Sequence, residues 1–176
     1  HNFDYNAANL ALTPLKPTLD GEPCYEDHPV RGLWKEGQAP VTWFNDFDAR
    51  RAAWWSLLSG ACGHVYGNHN IWQFYDGKRE PVFFARTPWK KALDQPGAVQ
   101  MGRMRAFLEK TDWQKLQRDD AFLLSNTSAG EQQLMAAVAT DRSFAVVYQP
   151  DVKSCAVAPD FTKLAFNFAQ SEAKGF

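Results

Sequence analysis

The chain has 176 residues, 45% hydrophobic and 22% charged, with a formal net charge of −1. That composition is one of a globular protein, and it leaves no basic field for nucleic acid or anionic lipid. No apolar run approaches the ~20 residues that span a bilayer, and the three cysteines lack the C-x-x-C spacing of a zinc site or a disulfide framework.

Taken in order, residues 5–12 read as the end of a helix stopped at Thr13-Pro14. Residues 16–20 read as a short strand, broken at once by Gly21 and Pro23, which puts Glu22 at the strand's C-terminal tip. A long connection rich in Pro, Gly and Trp runs over residues 27–45; its aromatics Trp34, Trp43 and Phe44, with Phe47 just beyond, argue for order. Asp46 or Asp48 caps a helix reaching about Ser59, with Gly60 as its stop. Trp54, Leu57, Leu58 and Ala61 form its core stripe. Residues 61–67 read as a short buried strand of small residues, followed by the polar and aromatic run from Asn68 to Phe74.

Strand, loop, helix, strand is a βαβ unit and implies a parallel pair. Chemistry in such sheets gathers at the C-terminal ends of the strands, where residues 20–26 and 64–73 both fall. Further helices are expected over 88–93 and 97–110, the second presenting Met101, Met104 and Leu108. After Asp119-Asp120 the pattern turns to short strands. Residues 134–139 and 144–149 flank Thr140-Asp141-Arg142-Ser143 as a hairpin, and 121–124 and 155–158 add strands. A domain junction is placed at 117–120.

Glu22 and Glu26 are the leading acidic pair, because glycoside cleavage needs two carboxyl groups about the scissile bond. The bland alternative is that Glu22 binds a backbone amide or an arginine such as Arg50 or Arg51. Tyr25, His64, Tyr66, Asn70, Trp72 and Gln73 supply the phenol, imidazole, amide and indole groups that hydrogen-bond and stack on sugars. A metal shared by His28, Asp27, His64 and His69 is the rival, although the spacing from His64 to His69 matches no standard ligand geometry. A Cys24–His64 nucleophile pair lacks a supporting signature. The cysteines read as small buried thiols. Arg50-Arg51 near a helix start opposes the helix dipole and calls for partners, Asp46 and Asp48 among them. Asn126-Thr127-Ser128 has the form of a glycosylation sequon.

Three stretches resemble one family. Lys16-Pro17-Thr18-Leu19-Asp20-Gly21-Glu22-Pro23-Cys24-Tyr25-Glu26-Asp27 is the first. Arg50-Arg51-Ala52-Ala53-Trp54-Trp55-Ser56-Leu57-Leu58-Ser59-Gly60-Ala61-Cys62-Gly63-His64-Val65-Tyr66-Gly67 is the second. Thr87-Pro88-Trp89-Lys90-Lys91-Ala92-Leu93 with Pro96-Gly97-Ala98 is the third. Together they resemble the apiosidase-like glycoside hydrolases, relatives of glycoside hydrolase family 140, over most of the chain to about Pro150. The resemblance implies an α/β fold, a (β/α)8 barrel followed by a small β-sandwich, and cleavage of glycosidic bonds, apiosyl linkages in pectin among them.

By motif, Glu22 matches the family's catalytic glutamate, and the residues after His64 form the loop of the last barrel strand. A whole barrel takes ~250 residues, so the expectation is a C-terminal barrel part over residues 1–118 and a partial sandwich over 119–176. The aspartate partner of Glu22 would lie outside the chain, which would be inactive alone. Its parent would be secreted or periplasmic. The expected partner is an oligosaccharide or polysaccharide, with no cofactor, no metal, no nucleic acid and no membrane. Exposed barrel edges invite self-association. A non-catalytic sugar-binding module using the aromatic loop is the alternative.

Overall fold

The computed structural model describes residues 1–30, 39–40, 42–125, 129–151 and 154–158. Trp34, the sequon at 126–128 and nearly all of the C-terminal tail from Val152 lie outside the described residues.

The chain is a mixed α/β structure. Its elements in order are α1 (Asn2–Leu10), β1 (Leu19–Asp20), α2 (Asp46–Leu58), β2 (Gly63–His64), α3 (His69–Trp72), α4 (Trp89–Ala92), α5 (Pro96–Leu108), β3 (Leu116–Arg118), β4 (Met135–Ala139) and β5 (Ala145–Tyr148). Strands β1 and β2 pair in parallel, Leu19 opposite Gly63 and Asp20 opposite His64, with α2 between them in sequence. The parallel register continues past the strands through a bridge between Glu26 and Asn68. The βαβ unit expected from the sequence is therefore present, with shorter strands: Cys62 and Val65, counted into the second strand, are exposed. Exposed Cys62 also departs from the expectation of buried thiols; Cys24 and Cys155 are half-buried.

Helix α2 begins on Asn45 rather than on Asp46 or Asp48. The Asn45 carboxamide oxygen accepts from the amides of Phe47 (2.9 Å) and Asp48 (3.2 Å), and Asp48 returns a carboxylate to the Asn45 amide (3.0 Å). This reciprocal box satisfies amides that the first helical turn leaves open. Gly60, at φ +100°, takes the left-handed position after the helix. Arg50 and Arg51 find the expected partners, Asp46 at 3.5 Å and Asp48 at 2.9 Å.

Burial on α2 is not a single stripe. Ala49, Ala52, Ala53, Trp55, Ser56 and Leu58 are all buried, while Trp54 and Leu57 are only partly so. The reason is that α2 is enclosed on several sides. Phe3 of α1 joins Trp55 and Leu58 and, from the antiparallel sheet, Met135, Ala137 and Val146. Ala53 packs with Met104 and Leu108 of α5. Burying Trp55 and Leu58 contributes ~1.5–3 kcal/mol or more each.

The second sheet has the order β3-β4-β5, antiparallel throughout. Its central strand is buried along its length, so its sequence, Met135-Ala136-Ala137-Val138-Ala139, does not alternate. One face meets α2; the other meets Phe122, Leu123 and Leu134. The hairpin is as read: Ala139 N–H donates to the Phe144 carbonyl (2.9 Å), and Asp141 accepts from the Ser143 amide (3.0 Å). The expected strand at 121–124 is instead a 3-10 turn (Asp120–Phe122) followed by a single antiparallel bridge from Leu123 to Val157. The sheet takes its first strand from Leu116–Arg118, upstream of most of the junction expected at 117–120.

The arms of the 27–45 connection pair back on each other. Asp27 N–H donates to the Phe44 carbonyl (2.8 Å), Phe44 N–H to His28 (2.9 Å) and Val30 N–H to Thr42 (3.0 Å).

Candidate functional site

The end of β1 and the loop after it carry four acids: Asp20, Glu22, Glu26 and Asp27. The structure divides them sharply. Asp20, at the end of β1, accepts from the Ser56 hydroxyl on α2 and from the Asn2 carboxamide (3.1 Å) on α1. Asn2 also donates to the Ala52 carbonyl (2.8 Å) and the Ser56 oxygen (2.8 Å). His64 Nδ1 stands 3.8 Å from the Asp20 carboxylate and is buried without a hydrogen-bond partner among the described residues. Burial alone would raise the Asp20 pKa, but His64 and the hydrogen bonds from Ser56 and Asn2 outweigh it and hold the group at about 2.

Glu26 is buried. Its carboxylate accepts from the Tyr66 hydroxyl and from the Gly97 backbone amide (3.1 Å). Gly97 lies in the first turn of α5, whose N-cap residue Gln95 makes no side-chain cap. A carboxylate 71 positions upstream thus serves the open amides and positive end of α5. Only glycine permits it: a Cβ at 97 would stand 2.3 Å from Glu26 Oε2. Burial and then the Glu26 hydrogen bond push the Tyr66 hydroxyl well above the usual phenol range.

Asp27 is buried too, at a left-handed φ of +64°. Its carboxylate takes the Arg86 guanidinium, the Thr87 hydroxyl (3.0 Å) and the Asn70 carboxamide (2.8 Å). Burial would raise its pKa; Arg86 first, then Asn70, bring it below the ordinary value. Arg86 also lies over the Trp43 ring, 4.2 Å from its centroid. The Asn70 oxygen accepts from the amides of Arg86 (3.2 Å) and Thr87 (3.1 Å). Asp27 with Asn70 therefore pins the 82–87 segment to the loop after β1.

Glu22 alone of the four is exposed, and among the described residues no hydrogen bond or ion pair engages it. Tyr25, half-buried, lies against Gly67, where a Cβ would come within 2.3 Å of the ring. Trp72 is exposed, and its indole N–H donates to His69 Nδ1 (3.2 Å). Gln73 is buried and bonds to the backbone of Val82 and His69. The sequence-named residues thus gather around the ends of β1 and β2, but in two roles. Glu22, Tyr25 and Trp72 face outward in whole or part; Glu26, Asn70 and Gln73 spend their polar atoms on backbone and neighbours. Asp20, Asn2, Ser56, Arg86 and Gly97 belong to the same construction; Asp20, Ser56 and Gly97 fall in the family-like stretches, and no local pattern marks Asn2 or Arg86.

His69, weighed as a metal ligand, points its Nε2 at the carbonyls of Val82 (3.1 Å) and Phe83 (2.9 Å). Burial lowers its pKa, so the ring is neutral with the proton on Nε2. Among the described residues no three His, Cys, Asp or Glu side chains are placed to share a metal.

The acids at and after the end of β1, and His64 at the end of β2, lie where ligands gather in open α/β sheets, at the C-terminal ends of parallel strands. Residues 1–115 match the family model of the apiosidase-like catalytic domain, and the chain belongs to that family. A solved structure described as a glycoside hydrolase is 30% identical with a TM-score of 0.70, over 78% of this chain and 30% of that one. A glycoside hydrolase family 5 protein from Bacteroides vulgatus ATCC 8482 is 29% identical with a TM-score of 0.79, over 89% of this chain and 33% of that one. The chain therefore spans about a third of the length of these structures. No curated protein matches.

Proposed function

We propose that the chain is the C-terminal part of a (β/α)8 glycoside hydrolase barrel joined to a partial β-sandwich, and that Glu22 is one of the two carboxylates that cleave the glycosidic bond. The observation that carries this reading is the contrast among the four acids. Asp20, Glu26 and Asp27 are bound into the fold, whereas Glu22 stands exposed just past a parallel strand. A reacting carboxylate must be open to substrate and supported by a rigid surround. The family match, which ends at residue 115, and the pairing of Leu116–Arg118 with β4 support a join at the start of β3.

In this reading Glu22 acts as acid/base or nucleophile opposite a carboxylate from another strand. Tyr25 and Trp72 line the substrate side, with Tyr66 and His64, bonded to or beside Glu26 and Asp20, behind them. Glu26, Asn70 and Gln73 hold those residues and the 82–87 segment in place. The substrate is a glycan, with apiose-bearing pectin as the first one to try. The isolated chain, carrying one of the two catalytic carboxylates, turns over nothing.

The test is a chimera in which this chain replaces the matching third of the solved glycoside hydrolase, assayed on aryl glycosides and apiose-bearing pectin. Glu22→Gln is expected to lower kcat by about 10²–10⁴-fold with an unchanged circular-dichroism spectrum. Turnover that persists in Glu22→Gln would remove Glu22 from the chemistry. Turnover by the isolated wild-type chain would overturn the half-site reading.

A further inference from the structure

The two groups that hold the Asp20 carboxylate come from different helices. Asn2 of α1 donates to it at 3.1 Å, the Ser56 hydroxyl of α2 donates to it as well, and Asn2 is joined to Ser56 at 2.8 Å. Each donor is the chain neighbour of a large aromatic that packs elsewhere. Phe3 follows Asn2 and Trp55 precedes Ser56. Both rings are buried in the core that includes Met135, Ala137 and Val146 of the antiparallel sheet. They meet edge to face, with their centroids 5.1 Å apart.

The sheet side grips this aromatic pair by more than apolar contact. The Trp55 indole N–H donates to the Gln133 carbonyl (2.9 Å), just before β4. Arg51, buried one turn earlier on α2, lies over the Trp55 ring with its guanidinium 5.0 Å from the centroid, and it reaches the Glu131 carboxylate at 3.4 Å. Arg118 of β3 stands 5.7 Å from the centre of the Phe3 ring. Trp54, the next residue on α2, stacks on Tyr148 of β5 at 5.8 Å and 13°. A module merely tethered to a neighbouring domain meets it through a modest and rather polar interface. Here a single apolar core takes residues from both sides of the join at β3.

We propose that the antiparallel sheet is a brace for the carboxylate site: by holding Phe3 and Trp55 it keeps Asn2 and Ser56 on Asp20, and so fixes the end of β1 that leads into Glu22. Trp55 is the main positioning residue and acts through Ser56. Helical hydrogen bonding ties the two together, so Trp55 cannot shift without carrying Ser56 with it. The functional weight of that strand end rests on the glycoside hydrolase reading above; the brace itself is read on Asp20. A carboxylate drawn partly out of water stays charged only while its donors remain in place, which makes Asp20 the reporter. Its other neighbour, His64, is its register partner on β2, 3.8 Å away.

The experiment uses the whole chain with 13C-labelled aspartate carboxyls. The Asp20 resonance, assigned by its loss in Asp20→Asn, is followed as the pH is lowered. In the wild type its midpoint is expected at about 2. Ser56→Ala removes a donor outright and should raise the midpoint by about one pH unit. Trp55→Phe leaves both donors in the chain but drops the indole bond to Gln133 and loosens the packing on the sheet; it should raise the midpoint by about half a pH unit. Val146→Ala is a smaller change on the sheet side and should act in the same direction, which keeps the test open if Trp55→Phe does not fold. Phe122→Leu is the control: Phe122 packs on the opposite face of the sheet, so the variant should melt lower and leave Asp20 as in wild type. An unmoved Asp20 midpoint in folded Trp55→Phe or Val146→Ala would overturn the brace, as would an equal rise in Phe122→Leu. In the chimera, Trp55→Phe should lower kcat about tenfold with KM unchanged, and an unchanged kcat would sever the brace from Glu22. The Asp20 titration needs no hydrolysis, so turnover that persists in Glu22→Gln and a failed brace are separate results.

Discussion

Gly97→Ala is the sharpest test of how the site is built, because two physical effects predict opposite signs. Gly97 sits in helix α5, and alanine in a helix interior is favoured over glycine by ~1 kcal/mol. On propensity alone the variant should be more stable. The structure says otherwise. The new methyl would meet Glu26 Oε2 at 2.3 Å and Cδ at 2.8 Å, while that carboxylate accepts the Gly97 amide at 3.1 Å. Glu26 is buried and also bonded to Tyr66, so it has little room to retreat. Pushing it away forfeits a hydrogen bond to a charged group, about 1.5–3 kcal/mol, and its interaction with the helix end, about 0.3–1 kcal/mol. Set against the propensity gain, the net is a loss of about 2 kcal/mol, or ~6 °C in Tm for a chain of this size.

Thermal and urea denaturation followed by circular dichroism would measure it. Gly102→Ala is the control. It lies in the same helix, where a Cβ meets nothing within 4 Å, and should gain up to about 1 kcal/mol. In a Glu26→Ala background, Gly97→Ala should become stabilising. If Gly97→Ala in the native background melts at or above wild type, Glu26 does not hold α5 in the way described.

Two further outcomes are expected. Asp20 titrates at about 2 in the folded chain against an ordinary 3.8, so its contribution is present above pH ~4 and is lost as pH falls toward 2. Wild type should be ahead of Asp20→Asn by about 2 kcal/mol at neutral pH, with the gap closing as pH falls from ~4 toward 2, so that the variant has the shallower acid limb; parallel pH profiles would refute this. Among the described residues the parallel pair β1–β2 has an open edge on each side, and Leu12, Leu15, Leu19 and Val65 are exposed. The isolated chain should therefore self-associate, and a light-scattering mass that stays at 19.9 kDa across concentration would refute it.

Local signals located most of the elements. The stretch from Asn45 to Gly60 has a cap, a helix-forming run and a stop within reach of one another, so α2 could be read with its cap misplaced by one or three residues, on Asp46 or Asp48 instead of Asn45. The hairpin about Asp141 has its turn chemistry in the turn itself. The parallel pairing followed from element order alone, and Glu22 could be placed at a strand tip because Gly21 and Pro23 end the strand beside it.

The roles of the other acids were beyond local reading. Glu26 looks like a partner for Glu22 in the sequence, yet its nearest donors are Tyr66 and Gly97, 40 and 71 positions away. Asn70 and Gln73 carry the amide groups expected of sugar ligands, and the fold spends them on the backbone at 82, 86 and 87. The sequence by itself determined most of the helices, the hairpin and the parallel pair, because capping, turn formation and strand breaking act over a few residues; the strand expected at 121–124 is a 3-10 turn, and Leu116–Arg118 is a strand not expected from the sequence. Only the tertiary structure decided which of the four carboxylates is left exposed and unengaged among the described residues. That choice depends on where distant amides, hydroxyls and a guanidinium come to rest, and three of the four acids are claimed by them.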